Sequence, residues 1–221
     1  MTIAQRIAQI RAHLPESVRL IAVTKQVSVD AMMQAYQAGI RDFGESRIQE
    51  AQGKSEQLGD LPGLTWHLIG HLQSNKVKPA LDRFQWIHSI DSLKLAQRVD
   101  RLAEGLEVKP KVCLQVKIEP DPNKSGWQIP ELIEDLATLN QCENLEIKGL
   151  MTIPPLGLDQ EKTLALFERA HQLAQEIQAQ NWDRISMQEL SMGMSGDYHL
   201  AVQAGSTMVR LGTILFGERS L

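Results

Sequence analysis

The sequence predicts an α/β fold, a single (β/α)8 barrel of the TIM type with one extra N-terminal helix. Three observations predict it. Short strand-like runs alternate with helical segments along the chain, which implies right-handed crossovers and a parallel sheet. Eight such runs occur in 221 residues, more than an open doubly wound sheet usually uses. Nothing between them reads as a linker, so residues 1–221 are expected to share one core and form one domain.

The elements follow in order. MTIAQRIAQIRAHL sets Ile3, Ile7, Ile10 and Leu14 at helical spacing with arginines between, and without the Ser-rich character of a transit peptide it reads as a helix capping the domain. Leu20 to Thr24 are mostly apolar and partly β-branched, as in a strand covered on both faces, and Lys25 follows directly. Ser28 is placed to cap a helix carrying Met32, Met33 and Tyr36 that stops at Gly39. The remaining strands are expected at DFGES, WHLIG, FQWIHSI, KVCLQVKI, EIKGLMTI, SMQELSM and TMVRLG. Helices between them are expected at 47–58, 73–81, 93–103, 130–139, 161–179 and 198–204. One long polar loop, IEPDPNKSGWQIP after the fifth strand, is expected to act as a mobile cover of the entrance. Its NKSG lacks the rest of a GxxxxGK[ST] phosphate loop.

Bulk properties exclude several function classes. A formal net charge of -4 and a pI of about 5.9 argue against nucleic acid or acidic lipid as the main partner. Cys113 and Cys142 stand in no ligand-like spacing and read as packing cysteines of a reduced, cytoplasmic protein. No apolar run approaches the roughly 20 residues of a membrane span. His67 and His71 lie across a strand end instead of on one helical face, so no metal site is expected.

In such a barrel the loops after the strands build the site, and phosphate often binds after strands seven and eight. Lys25, Ser46, His71, Ser89 and Asp91 fall at the ends of the first four strands. After strand seven, Ser191, Gly193, Ser195 and Gly196 make a small-residue turn whose backbone amides could face an anion. Strand eight carries Arg210, then Gly212 and Thr213. With Val209 and Leu211 facing the helices, Met208 and Arg210 point into the barrel. A lone inward arginine needs an acceptor, and either Glu45 or Glu189 would serve as a purely structural partner. Lys25 reads either as a surface lysine snorkelling from a strand end or as a Schiff-base amine made nucleophilic by desolvation and a nearby cation. The second reading, joined to a phosphate cradle, describes a pocket for a phosphorylated aldehyde.

The stretches IAVTK, DFGESRIQEAQGK, WHLIGHLQSNK, IHSIDS, NKSGW, GLMTIPP and LSMGMSGDYHLAVQAGSTMVRLGTILFGER closely resemble the pyridoxal phosphate homeostasis protein family, YggS/PROSC-like single-domain relatives of the alanine racemase N-terminal barrel (fold type III). The resemblance implies pyridoxal 5'-phosphate (PLP) as cofactor, held as an aldimine on Lys25. It implies phosphate contacts at Ser191, Gly193, Gly212 and Thr213, Arg210 against the pyridine nitrogen, and Ser46 beside the ring where the family usually has Asn. Thr24 stands where Ser is usual. The implied role is carriage and buffering of PLP, with PLP-requiring enzymes as acceptors and no catalytic residue. Arginine offers only donors, so the ring nitrogen opposite it must accept and stay unprotonated. A tyrosine proton donor of the racemase kind is expected to be missing, since Tyr36 and Tyr198 both read as helical. A weak amino-acid racemase and an aldolase-like Schiff-base barrel are the alternatives. A monomer is expected, because a closed barrel has no edge to pair.

Overall fold

The computed structural model describes residues 1–217; residues 218–221, which include the last two residues of the C-terminal stretch ending in FGER, lie outside the described residues. Eight parallel strands close into a ring: β1 (Arg19–Val23), β2 (Asp42–Glu45), β3 (Thr65–Leu68), β4 (Trp86–Ile90), β5 (Lys111–Lys117), β7 (Glu146–Met151), β8 (Ile185–Met194) and β9 (Met208–Leu211). Pairing of β1 with β9 and of β4 with β5 completes the circle. Every strand that the sequence predicts is present.

The helices alternate with the strands: α1 (Ile3–His13), α2 (Val29–Gln37), α3 (Ile48–Leu58), α4 (Val77–Leu81), α5 (Leu93–Leu102), α6 (Ile129–Leu139), α7 (Gln160–Gln178), α8 (Tyr198–Gln203) and α9 (Thr213–Phe216). Ser28 caps α2 by accepting from the Ala31 amide, and Thr2 and Gln5 form a reciprocal capping box on α1. The arginines of α1 have structural work: Arg6 donates to the Leu215 carbonyl and Arg11 to that of Gly39. Helices as short as α8 and α9 are not stable alone; burial of Ala201 and Leu215 holds them to the barrel.

Two apolar layers result from strand alternation. Outward residues such as Leu20, Ala22, Phe43, Ile87, Val209 and Leu211 pack under the helices. Inward, Ile21, Trp86, Cys113, Met151 and Met208 form a separate cluster. The alternation expected on the last strand is therefore realised, and Arg210 lies on the inward side, 4% exposed.

The loop after β5, expected as a mobile cover, is tied to the barrel in its second half. Trp127–Gln128 pair with Val116 and Lys117 as a short strand, β6. Trp127 is buried and donates its indole N–H to Asp135. Lys124 donates to the carbonyls of Ile153 and Pro154, and Gln115 to that of Ser125. One tryptophan and one lysine thus fasten the second half of a stretch whose prolines suggested freedom.

Candidate functional site

At the C-terminal mouth of the ring lies a cavity of about 290 Å3 lined by Val23, Lys25, Ser46, Ile69, Ile153, Met194, Ser195, Gly196, Arg210, Gly212 and Thr213. It brings together five of the seven residues the sequence nominates: Lys25, Ser46, Arg210, Gly212 and Thr213. A larger cleft of about 570 Å3 runs beside α7 between Ile118, Pro155 and Arg169, but it lies off the barrel axis and contains none of them. Chemistry, not size, marks the mouth cavity.

Lys25 sits two residues beyond β1, in a turn held from below. Gln26, the next residue, has a left-handed backbone (φ 61°), uncommon for a non-glycine residue, and its amide donates to the Glu50 carboxylate. Lys54 of α3 donates to the Thr24 carbonyl at 2.6 Å, to Glu45 at 2.8 Å and to Glu50 at 2.6 Å. The Thr24 hydroxyl also donates to Glu45, at 2.6 Å. Both neighbours of Lys25 are thus fixed by one buried ion cluster. Burial pushes the Glu45 carboxyl up despite the bonds from Lys54 and Thr24, whereas bonds from Lys54 and the Gln26 amide outweigh partial desolvation and hold that of Glu50 down.

Ser46 follows β2, the strand next to β1, and its backbone packs closely on Gly70: a Cβ on Gly70 would lie 2.3 Å from the Ser46 carbonyl oxygen. At the far side, the Ser195 hydroxyl accepts from the Gly212 amide at 3.3 Å, joining the turns after β8 and β9 into one small-residue rim.

Arg210 forms the floor. Its guanidinium donates to the Ser191 hydroxyl at 2.6 Å and to the Thr152 carbonyl at 3.1 Å, both neutral. The carboxylates that would have served as structural partners are engaged elsewhere, Glu45 with Lys54 and Glu189 with Arg19 and Thr207. Burial therefore pulls the Arg210 pKa down to about 10, and a buried cation with only neutral acceptors favours a ligand that brings lone pairs or negative charge.

Two nominated residues are misplaced by the sequence reading. Ser191 and Gly193 do not line the cavity. β8 continues to Met194, so Ser191 points into the barrel interior, fully buried between Arg210 and His88. Gly193 has φ 94°, and a Cβ there would lie 2.6 Å from the Ala201 Cβ; it is glycine so that α8 can pack against the strand. Ser195 and Gly196 take the places expected of them. His88 and His67, below Ser191, carry no signal in spacing or composition, because their partnership runs across three strands.

Residues 1–220 match the family described as alanine racemase, N-terminal domain. The pyridoxal phosphate homeostasis protein of Synechocystis sp. is 51% identical over 212 residues, covering 96% of each chain, and that of Escherichia coli K12 is 37% identical over 230 residues, covering 98% of this chain and 97% of the relative. The structure of PipY from Synechococcus elongatus with PLP bound superposes with a TM-score of 0.93 at 51% identity, over 98% of this chain and all of that one. An alanine racemase of Clostridium difficile shares the fold at a TM-score of 0.79 and 17% identity, and this chain spans only 57% of it. By a match along nearly its whole length, this chain belongs to the pyridoxal phosphate homeostasis protein family, built on the alanine racemase N-terminal barrel.

Proposed function

We propose that this chain is a PLP-binding protein of PLP homeostasis, a single cytoplasmic barrel domain that holds the cofactor without turning over amino acids. The observation that carries the reading is the placement of Lys25 and Arg210 on one cavity whose rim is the Ser195–Gly196 and Gly212–Thr213 turns. An amine for the aldehyde, a buried guanidinium for the ring nitrogen and two small-residue turns for the phosphate match the three ends of PLP. Ser46, Val23, Ile69 and Ile153 line the same cavity, where the serine would stand beside the ring and the three apolar side chains would wall it.

Bound PLP supplies an electron sink, strongest when its ring nitrogen is protonated. Arg210 presents only donors and, with a pKa of about 10, keeps its protons at neutral pH, so it hydrogen-bonds the nitrogen without protonating it and keeps the sink weak. Among the described residues neither tyrosine lines the cavity: Tyr36 donates to the Pro62 carbonyl on the outer surface, and Tyr198 packs against the core from α8. General acid–base groups each contribute factors of about 100 to 10,000, which leaves a carrier's inertness as the expected outcome. PLP-requiring enzymes are the natural recipients, and no helix among the described residues is long and apolar enough to cross a membrane. Among the described residues the eight ring strands leave no free edge and β6, outside the ring, is only two residues long, in keeping with a monomer.

Purified protein mixed with PLP should take up the cofactor and, after borohydride reduction, carry the label on the Lys25 peptide. Label on Lys76 or Lys78 would refute the assignment. Solvent deuterium should enter the α-carbon of alanine or serine slowly if at all; turnover near the enzyme median of roughly 10 per second would make the protein a racemase.

A further inference from the structure

The floor of the cavity continues downward as a single file of polar groups through the barrel. Arg210 Nη1 lies 2.6 Å from Ser191 Oγ, Ser191 Oγ 2.7 Å from His88 Nδ1, His88 Nε2 2.9 Å from His67 Nδ1, and His67 Nε2 2.9 Å from Asp42 Oδ1. Ser191, His67 and His88 are completely buried. Asp42 opens β2 at the opposite end of the barrel, with its side chain about a quarter exposed.

The chemistry at each end dictates the direction of every hydrogen bond between. Arginine can only donate, so Ser191 Oγ accepts and its single proton goes to His88 Nδ1. His88 then carries its proton on Nε2 and donates to His67 Nδ1, leaving His67 to donate from Nε2. An ionised carboxylate can only accept, so reasoning upward from Asp42 gives the same two tautomers. Reversing any one bond leaves a proton without an acceptor or two lone pairs facing each other, at the cost of a buried unsatisfied group. Burial also holds both imidazoles below the ordinary histidine range, keeping them neutral. Trp86 lies near-parallel to His67, with ring centroids 5.9 Å apart and planes 9° from parallel, and packs beside its ring.

We propose that Ser191, His88, His67 and Asp42 form a donor-polarised chain that fixes Arg210 from the far end of the barrel, so that its remaining N–H groups face the ring nitrogen of the bound cofactor. They are positioning residues. This inference rests on the PLP reading of the cavity. Its consequence is that a change more than one residue removed from the ligand alters the cofactor's electronics.

Nitrogen-15 NMR of histidine side chains in ligand-free protein at neutral pH tests the polarity directly. His67 and His88 should both appear as neutral Nε2–H tautomers; an Nδ1–H tautomer or an imidazolium at either position overturns the chain. In PLP-loaded protein, His88→Leu should weaken cofactor retention about tenfold and change the absorption spectrum of the bound cofactor, whereas His88→Gln, whose amide can both accept and donate, should restore much of each. Unchanged retention and spectrum in a folded His88→Leu protein would overturn the positioning role. The tautomer measurement needs no cofactor, so its failure is separate from a failure of wild-type protein to bind PLP, which would overturn the site reading and the positioning role with it.

Discussion

Replacing Lys54 by methionine removes the cation on which the Lys25 turn depends. Lys54 makes three hydrogen bonds, and its partner Glu45 is fully buried, with Oε2 lacking any hydrogen-bond partner. Breaking a buried pair typically costs about 3–5 kcal/mol because the remaining charge is uncompensated. A second route sets a ceiling: Glu45 can take up a proton, and neutralising a carboxyl of ordinary pKa near 4.5 at pH 7 costs about 3.4 kcal/mol. Glu50, partly exposed, adds at most about 1 kcal/mol. The expected loss is therefore about 3–4 kcal/mol, read as a fall in the urea midpoint. Its pH dependence is diagnostic. With the folded-state pKa of Glu45 raised further, the folded variant binds a proton that its unfolded chain does not, so its stability deficit relative to wild type at the same pH should shrink by up to about 1.4 kcal/mol per unit as pH falls from 7 toward 5. Adding Glu45→Gln should restore most of the loss at pH 7. A Lys54→Met protein within about 1 kcal/mol of wild type, or one no better in the double variant, would refute this account of the cluster.

Other outcomes follow from the same geometry. Both buried histidines have pKa values lowered from 6.5, so the unfolded chain protonates first and stability should fall as pH drops below about 6.5, by up to about 1.4 kcal/mol per unit for each histidine; a His88→Gln chain with an equally steep urea-midpoint profile would count against it. Gly193→Ala should destabilise the protein by about 1–3 kcal/mol through backbone strain and the clash with Ala201, seen as a lower thermal midpoint; an unchanged midpoint would return Gly193 to the list of purely ligand-facing glycines. Arg210→Glu should weaken PLP retention and raise ring protonation, followed by absorbance across pH. Limited proteolysis between Glu119 and Asn123 should be faster in a Lys124→Ala protein, since Lys124 ties that loop to the carbonyls after β7.

Local pattern alone determined much of this protein. Alternation of apolar runs, the Ser28 cap and the stop at Gly39 are short-range signals, and each strand it marks appears in the barrel. The inward direction of Arg210 was legible for the same reason, because side chains alternate along a strand whatever surrounds it. Lys25, Ser46, Gly212 and Thr213 could be nominated because strand ends in a barrel all open on one face. What the sequence could not carry is how deep a residue lies. Ser191 and Ser195 are both serines near the end of one strand, yet the length of β8 puts the first inside the barrel and the second on the rim. Likewise, nothing in the spacing of His67, His88 and Ser191 joins them; closure of the ring brings β3, β4 and β8 to face one axis, and only there does a donor at one end and a carboxylate at the other impose one order on the protons between.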